Sequence, residues 1–506
     1  MTSHEMTSTR TGRDGWLSCL LSGRGVLAFW ILYSLGHAVF RLSVSHTLSL
    51  DDSRSNELAQ ELALGYQNQQ PPLYEWLLWT AQQFLGTGIE STLFVRYTLI
   101  AAIGIACYGA VRAALKDDRW AAVASLSLAA SYPVGWTFHE WATQTVLLCI
   151  ACFATLHAAI NWIEKPSLRS AFWFGVAIGL GLLSKFSYIL TIGGLLIAML
   201  SMPETRRALC DRRLLLTAAI AMAMIAPYIF WLVTVDVDVA AAVAKKMILV
   251  SQPYSVRVLK GLGRLASSIP LFLLPWLLFI GLLAPKAFGF GKAAVSAGLI
   301  ERLALRTMIA AAILAALGII AIGATNIAER YMHAIVMIAP IYVFARIRRF
   351  DPAGQSMRPI VILVFTLVLI VIGIRVAAES DSFASRRASR LWQIPFQSLA
   401  EQLKQRGIDH GTVITIGVRE AGNLRAFLPH LRVIARDSLR VLHPALGQDA
   451  SLCVLVYPAG DAVGPKISAA GPPERIEASG RTAWFGYPRS GTWFVAKLDP
   501  QSPMCR

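Results

Sequence analysis

The sequence predicts a polytopic α-helical membrane protein with a small α/β domain at its C-terminal end. Three observations predict it. Hydrophobic residues make up 55% of the 506 and charged residues only 15%, where a soluble globule carries about a quarter charged, and the mean hydropathy is +0.54. Apolar runs recur from residue 26 to residue 376, and a helix of roughly 20 apolar residues crosses a hydrocarbon core. After Arg375 the chain turns to polar residues, turn signals and short strand-like runs.

Residues 1–25 form a polar, basic tail, and no small-residue cleavage site follows the first apolar run, so that run reads as a retained helix. The membrane domain, 26–376, contains apolar runs at 26–45, 93–113, 120–136, 143–161, 170–184, 186–201, 214–234, 269–284, 307–324, 331–345 and 359–376, which predict about eleven or more spans. Basic turns set the orientation. Lys116 with Arg119, Lys165 with Arg169, Arg206 to Arg213, Lys286 to Arg306, and Arg346 to Arg358 fall on one side when eleven spans alternate. That side is expected to be cytoplasmic, together with the tail. The first loop (46–92), a basic loop (235–268) and the α/β domain (377–506) then face the periplasm of an inner membrane. Within the first loop, 72–90 reads as a helix lying in the interface, with Tyr74, Trp76 and Trp79 suited to that zone. In the last domain, 398–407 reads as helix and 411–418, 431–436, 451–458 and 492–498 as strands.

The formal net charge of +17 is explained by these turns, so no nucleic-acid partner is expected; membrane lipid is. Seven cysteines show no disulfide-framework spacing. Cys149 and Cys152 have metal-site spacing but lie in an apolar run, where packing is their expected role. Cys453 and Cys505 share a compartment in which a bridge can form.

Asp51-Asp52, Arg54, Glu57, Gln69-Gln70, His139-Glu140, Lys185, Glu329 and Arg330 all map to the outer turns. Asp51 and Asp52 open the first loop, where one carboxylate can serve as general base or as phosphate or metal ligand while the other caps a helix. Lys185 interrupts an apolar stretch of 170–200, where a lone cation is costly unless it meets water or an anion. It reads either as snorkelling at a tight turn or as binding phosphate. Arg330 follows Glu329, which either compensates it or leaves it free for phosphate. Two readings also fit Lys245 and Lys246 in the basic loop: contact with anionic headgroups, or a clamp on a lipid phosphate. His139 and Glu140, with Trp136 beside them, suit either an interface belt or a sugar ring. No P-loop, dinucleotide fingerprint, nucleophile elbow or zinc signature is present.

The segment LDDSRSNELAQELALGYQNQQPPLYEWLLW (50–79) resembles the first periplasmic loop of the protein-mannosyltransferase and aminoarabinose-transferase families. GLGLLSKFSYIL (179–190) and ERYMHAIVMIAP (329–340) resemble two further motifs of these families, in the right order. The resemblance covers roughly 25–376 and implies the glycosyltransferase-C fold. It also implies a sugar donor linked to polyprenyl phosphate, an acceptor outside the membrane, and inversion at the anomeric carbon. It assigns the catalytic acidic position to Asp51 with Asp52 as neighbour, and donor-phosphate contacts to Lys185, Arg330 and Gln70, which precedes the proline pair. Some aminoarabinose transferases carry Glu-Lys where this chain has Gln69-Gln70, so the donor's identity is open. A divalent metal at Asp51 is compatible with the pair and not required by it. The expected acceptor is an envelope glycolipid such as lipid A or the lipopolysaccharide core, and the expected donor sugar a hexose or a uronic acid. The alternatives are a flippase for a lipid-linked sugar, a protein O-glycosyltransferase, and a non-catalytic membrane sensor.

Overall fold

The computed structural model describes residues 15–66, 70–141, 143–235, 247–248, 252–289, 296–379, 393–439, 452–461, 471–481, 488–502 and 504–505. Its first part is a helical bundle: α1 (Gly15–Leu20), α2 (Gly23–Val44), α3 (Leu50–Leu58), α4 (Leu73–Leu85), α5 (Ile89–Leu115), α6 (Asp118–Ser127), α7 (Gln144–Glu164), α8 (Leu168–Ser184), α9 (Tyr188–Leu200), α10 (Pro203–Leu209), α11 (Leu214–Thr234), α12 (Tyr254–Leu283), α13 (Leu299–Ile322), α14 (Ala339–Phe350) and α15 (Met357–Ala378). Among the described residues, α2, α5, α7, α11, α12, α13 and α15 are long and apolar enough to cross a membrane. The bent pair α9 and α10 would add one more, and α8 is a shorter apolar helix. Two other apolar runs do not become long helices. The run 120–136 is α6 followed by a 3-10 turn and a π turn at Pro133–Thr137, and 331–345 is a short turn leading into α14.

Small residues let the helices approach closely. The Trp30 indole lies where a side chain on Gly104 would stand, and its N–H donates to Ser125 Oγ at 2.9 Å. Ser125 in turn donates to the Gly104 carbonyl at 2.7 Å, so the buried indole N–H is satisfied, as burial demands. The pairs α9–α13, α8–α11 and α5–α7 pack along much of their lengths.

The expected loop 235–268 is in part a helix. Residues 254–268, with Arg257, Lys260 and Arg264, belong to α12, whose 30 residues run on through Pro270 and Pro275. The boundary read between 268 and 269 followed hydropathy, and the basic residues that precede the apolar run continue the same helix. Lys245 and Lys246 lie outside the described residues.

The C-terminal domain comprises α16 (Phe396–Gln405), β1 (Thr412–Thr415), α17 (Val418–Phe427), β2 (Arg432–Ala435), β3 (Cys453–Pro458), β4 (Glu474–Arg481) and β5 (Pro488–Lys497). They form one sheet, ordered β2-β1-β3-β5-β4. The first three strands are parallel, with Val413 level with Val433 and Val454; β5 runs antiparallel to β3 and β4. Val413, Val433, Val454 and Val456 pack beneath α16 and α17, and Ile414, Ile434, Leu455 and Tyr457 form a second core on the other face. This is the two-sided burial that parallel strands require. Cys453 and Cys505 are joined in a disulfide. Helix α17 and strand β4 were not read from the sequence. Strand β4 is an edge strand on which Ile476 and Ala478 are buried among polar neighbours, the usual guise of an edge.

Candidate active site

The acidic pair sits in the first turn of α3. The cap is Ser49, not Asp51 or Asp52: the Ser49 hydroxyl accepts from the Asp52 N–H, and also donates to the Asp52 carboxylate at 2.7 Å. The helix therefore begins one residue before the pair, because a serine at the cap leaves both carboxylates inside the first turn, where the helix dipole favours them.

The two carboxylates have different surroundings. Asp52 is 2% exposed and is ion-paired with Arg96 of α5, itself fully buried. Asp51 is exposed, as is Arg54 three residues on, so the two share one open face of the helix. Asp51 is thus the exposed carboxylate of the pair, and Asp52 ties the helix to the bundle.

A chain of contacts joins α3 to Lys185. Ser55 donates to Glu75 Oε1 of α4 at 3.2 Å, Gln144 of α7 donates to the same oxygen at 2.7 Å, and the next residue, Thr145, accepts from Lys185 Nζ at 2.8 Å. Burial pushes the Glu75 carboxyl up to about 7, against the opposing pull of Ser55, Gln144 and Arg54. Lys185 itself is the extended residue between α8 and α9, and it lies at the wall of a cavity of about 320 Å³. Gln70 and Tyr331 also line that cavity; the remaining walls are largely aliphatic, from Leu190, Leu265, Leu314, Ile319, Ile327 and Ile335. Gln70 Oε1 is buried and without a hydrogen-bond partner, while its carbonyl accepts from the Tyr228 hydroxyl at 3.4 Å. Arg330 is exposed and its guanidinium stands 5.4 Å over the neighbouring Tyr331 ring.

His139, expected either in an interface belt or against a sugar ring, lies away from the surface. Its ring is fully buried, stacked on His37 at 3.9 Å and held at Nε2 by the Tyr33 hydroxyl at 2.8 Å, so its place is inside the bundle. Glu140 and Trp136 are half-buried, and Arg375 of α15 lies 5.8 Å over the Trp136 ring. Sequence reasoning passed over Arg41, Arg96 and Arg375, although a cation inside an apolar run is itself a signal. It passed over Glu75 because that residue was hidden inside the aromatic LYEW segment. Among the described residues no three His, Cys, Asp or Glu side chains come together to hold a metal ion.

This bundle of long apolar helices with a small C-terminal sheet is similar in build to known membrane glycosyltransferases. Three comparisons bear on that likeness. Residues 69–231 match the family model for dolichyl-phosphate-mannose-protein mannosyltransferase. The chain is 27% identical to the lipopolysaccharide core galacturonosyltransferase RgtB of Rhizobium johnstonii over 439 residues, 85% of each chain. It is also 27% identical to RgtA of the same organism over 450 residues, 86% of this chain and 88% of the relative. The crystal structure of ArnT from Cupriavidus metallidurans bound to undecaprenyl phosphate superposes with a TM-score of 0.62 at 13% identity, covering 96% of this chain and 98% of that one. Its apo state gives 0.62 at 12% identity, covering 93% and 98%. The two crystal structures establish the fold.

Proposed function

We propose that this protein transfers a sugar, a uronic acid of the galacturonate type, from a polyprenyl phosphate to an envelope glycolipid of the lipopolysaccharide core or lipid A. The observation that carries this reading is the contact chain from Lys185 through Thr145, Gln144 and Glu75 to Ser55, which sets a cation at an aliphatic cavity on the same side of the bundle as Asp51. The cavity would take the isoprenoid tail, with Lys185, Gln70 and Arg330 meeting the phosphate. The relatives act on the lipopolysaccharide core and the ArnT structure holds undecaprenyl phosphate, which supports the choice of donor and acceptor.

In the reaction the acceptor hydroxyl oxygen bonds to the anomeric carbon as the bond from that carbon to the phosphate oxygen breaks, with inversion. The electron pair leaves with the phosphate, whose growing charge Lys185 and Arg330 stabilise. The hydroxyl proton passes to Asp51. Asp52, tied to Arg96, holds the helix.

The basic turns support a periplasmic position for this site and for residues 377–506. Cysteine chemistry supports that orientation: the disulfide lies in the domain assigned outside, while the exposed free thiols Cys19 and Cys210 lie in segments assigned inside. The test is Asp51→Asn. Transfer to the lipopolysaccharide core, read by mass spectrometry, is expected to vanish while the protein still inserts and folds; full transfer would remove Asp51 from the base role.

A further inference from the structure

We propose that the C-terminal α/β domain is a working part of the active centre: α17, through Gly422, Asn423 and Arg425, positions α3 and with it Asp51. This rests on the transfer reaction proposed above.

The contacts hold both ends of α3. Just before its cap, the Leu48 N–H donates to Asn423 Oδ1 at 2.8 Å, and Asn423 Nδ2 donates to Ser53 Oγ at 2.9 Å. Near the other end, Asn56 Nδ2 donates to the Gly422 carbonyl at 2.8 Å. Arg425 donates to Asn56 Oδ1 at 2.8 Å, to the Asn56 carbonyl, to the Ala59 carbonyl at 3.1 Å and to Gln82 Oε1 of α4 at 2.9 Å. Between these ends the two helices touch backbone to backbone: a methyl group on Gly422 would stand 1.9 Å from the Ser53 carbonyl oxygen.

Arg425 is 7% exposed, and burial pushes its guanidinium down to about 9, so it is still a cation at neutral pH. It lies at the end of α3 where helix carbonyls are unpaired and the dipole is negative. A planar fork can serve several oxygens at once, and an ammonium cannot. These residues touch no part of the proposed substrate path; their effect on chemistry runs through α3. A displacement of about 1 Å in a reacting group costs on the order of 100-fold in rate.

The experiment uses the full-length protein in lipid nanodiscs, with polyprenyl-phosphate galacturonate as donor and purified lipopolysaccharide core as acceptor. The variants are Gly422→Ala, which wedges the helices apart, and Arg425→Lys, which keeps the charge and loses the fork. Both are expected to lower kcat by about 100-fold. The donor KM and the affinity for undecaprenyl phosphate are expected to stay within about twofold, because the cavity beside Lys185 is untouched. The proposal is overturned if both variants keep wild-type kcat, or if undecaprenyl phosphate affinity collapses together with kcat. Hydrogen exchange across 50–58 separates this proposal from the functional reading. If the wild type transfers no sugar, the transfer reading fails, yet faster exchange of α3 in the variants still supports positioning, and unchanged exchange overturns it.

Discussion

Two carboxylates on α3 show what surroundings do to one chemical group. Asp52 is buried against Arg96, and removing one partner of a buried ion pair strands the other charge. Asp52→Asn is expected to lower stability by about 3–5 kcal/mol, read as a lower midpoint of thermal unfolding in detergent. Glu57 is different. It is fully buried between α3 and the C-terminal domain, where the Ala435 N–H donates to Oε1 at 2.7 Å. Burial raises its pKa from 4.5 to about 7, with Ala435, Ser438 and Arg54 opposing and Asp437 adding to the rise. Because the docked state binds the proton more tightly, this carboxyl stabilises docking fully below about pH 4.5, and that contribution is lost as pH rises through about 7. Exchange of the α3 amides is expected to quicken as pH is raised from about 5 to about 8, beyond the intrinsic rate increase. Glu57→Gln is expected to flatten that excess; an equal excess in wild type and variant would remove Glu57 as its source.

At the scale of elements, α3 depends on its cap and its neighbours. The helix has nine residues, too few to persist alone in water. Ser49→Ala is expected to destabilise it by about 1 kcal/mol, seen as faster exchange at residues 50–53 and no change in α5. The long apolar helices were legible in the sequence because hydropathy is summed over about 20 residues and tolerates single exceptions. The break at Lys185 was legible as a cation in an apolar stretch, and the acidic pair as two charges at a span's end. Other features were not. The division of labour between Asp51 and Asp52 depends on Arg96, 44 residues away. His139 and its neighbours carry the residue types of an interface belt or a sugar site, and only the fold shows that the ring is buried. Helix α17, VREAGNLRAF, has a polar sequence whose buried face is made by α3, so no periodicity within it announces its role.

Across the whole molecule, cysteine chemistry provides a check on orientation. Membrane-impermeant maleimide added to intact spheroplasts is expected to leave Cys19 and Cys210 unmodified, and to label them after the cells are opened; labelling of either from outside would reverse the assigned sides. The cross-domain bonds of α3 have a consequence for biogenesis. Leu48 bonds Asn423 and Glu57 bonds Ala435, partners separated by 375 and 378 positions. When the ribosome has threaded the early spans into the bilayer, the groups that fasten α3 have not yet been translated. Loop-closing contacts of such length form late. If α17 positions α3 as proposed, the nascent chain stays inert through insertion and gains activity only when its C-terminal domain has folded back onto α3, so a prematurely terminated chain would leave an idle bundle rather than an unregulated transferase.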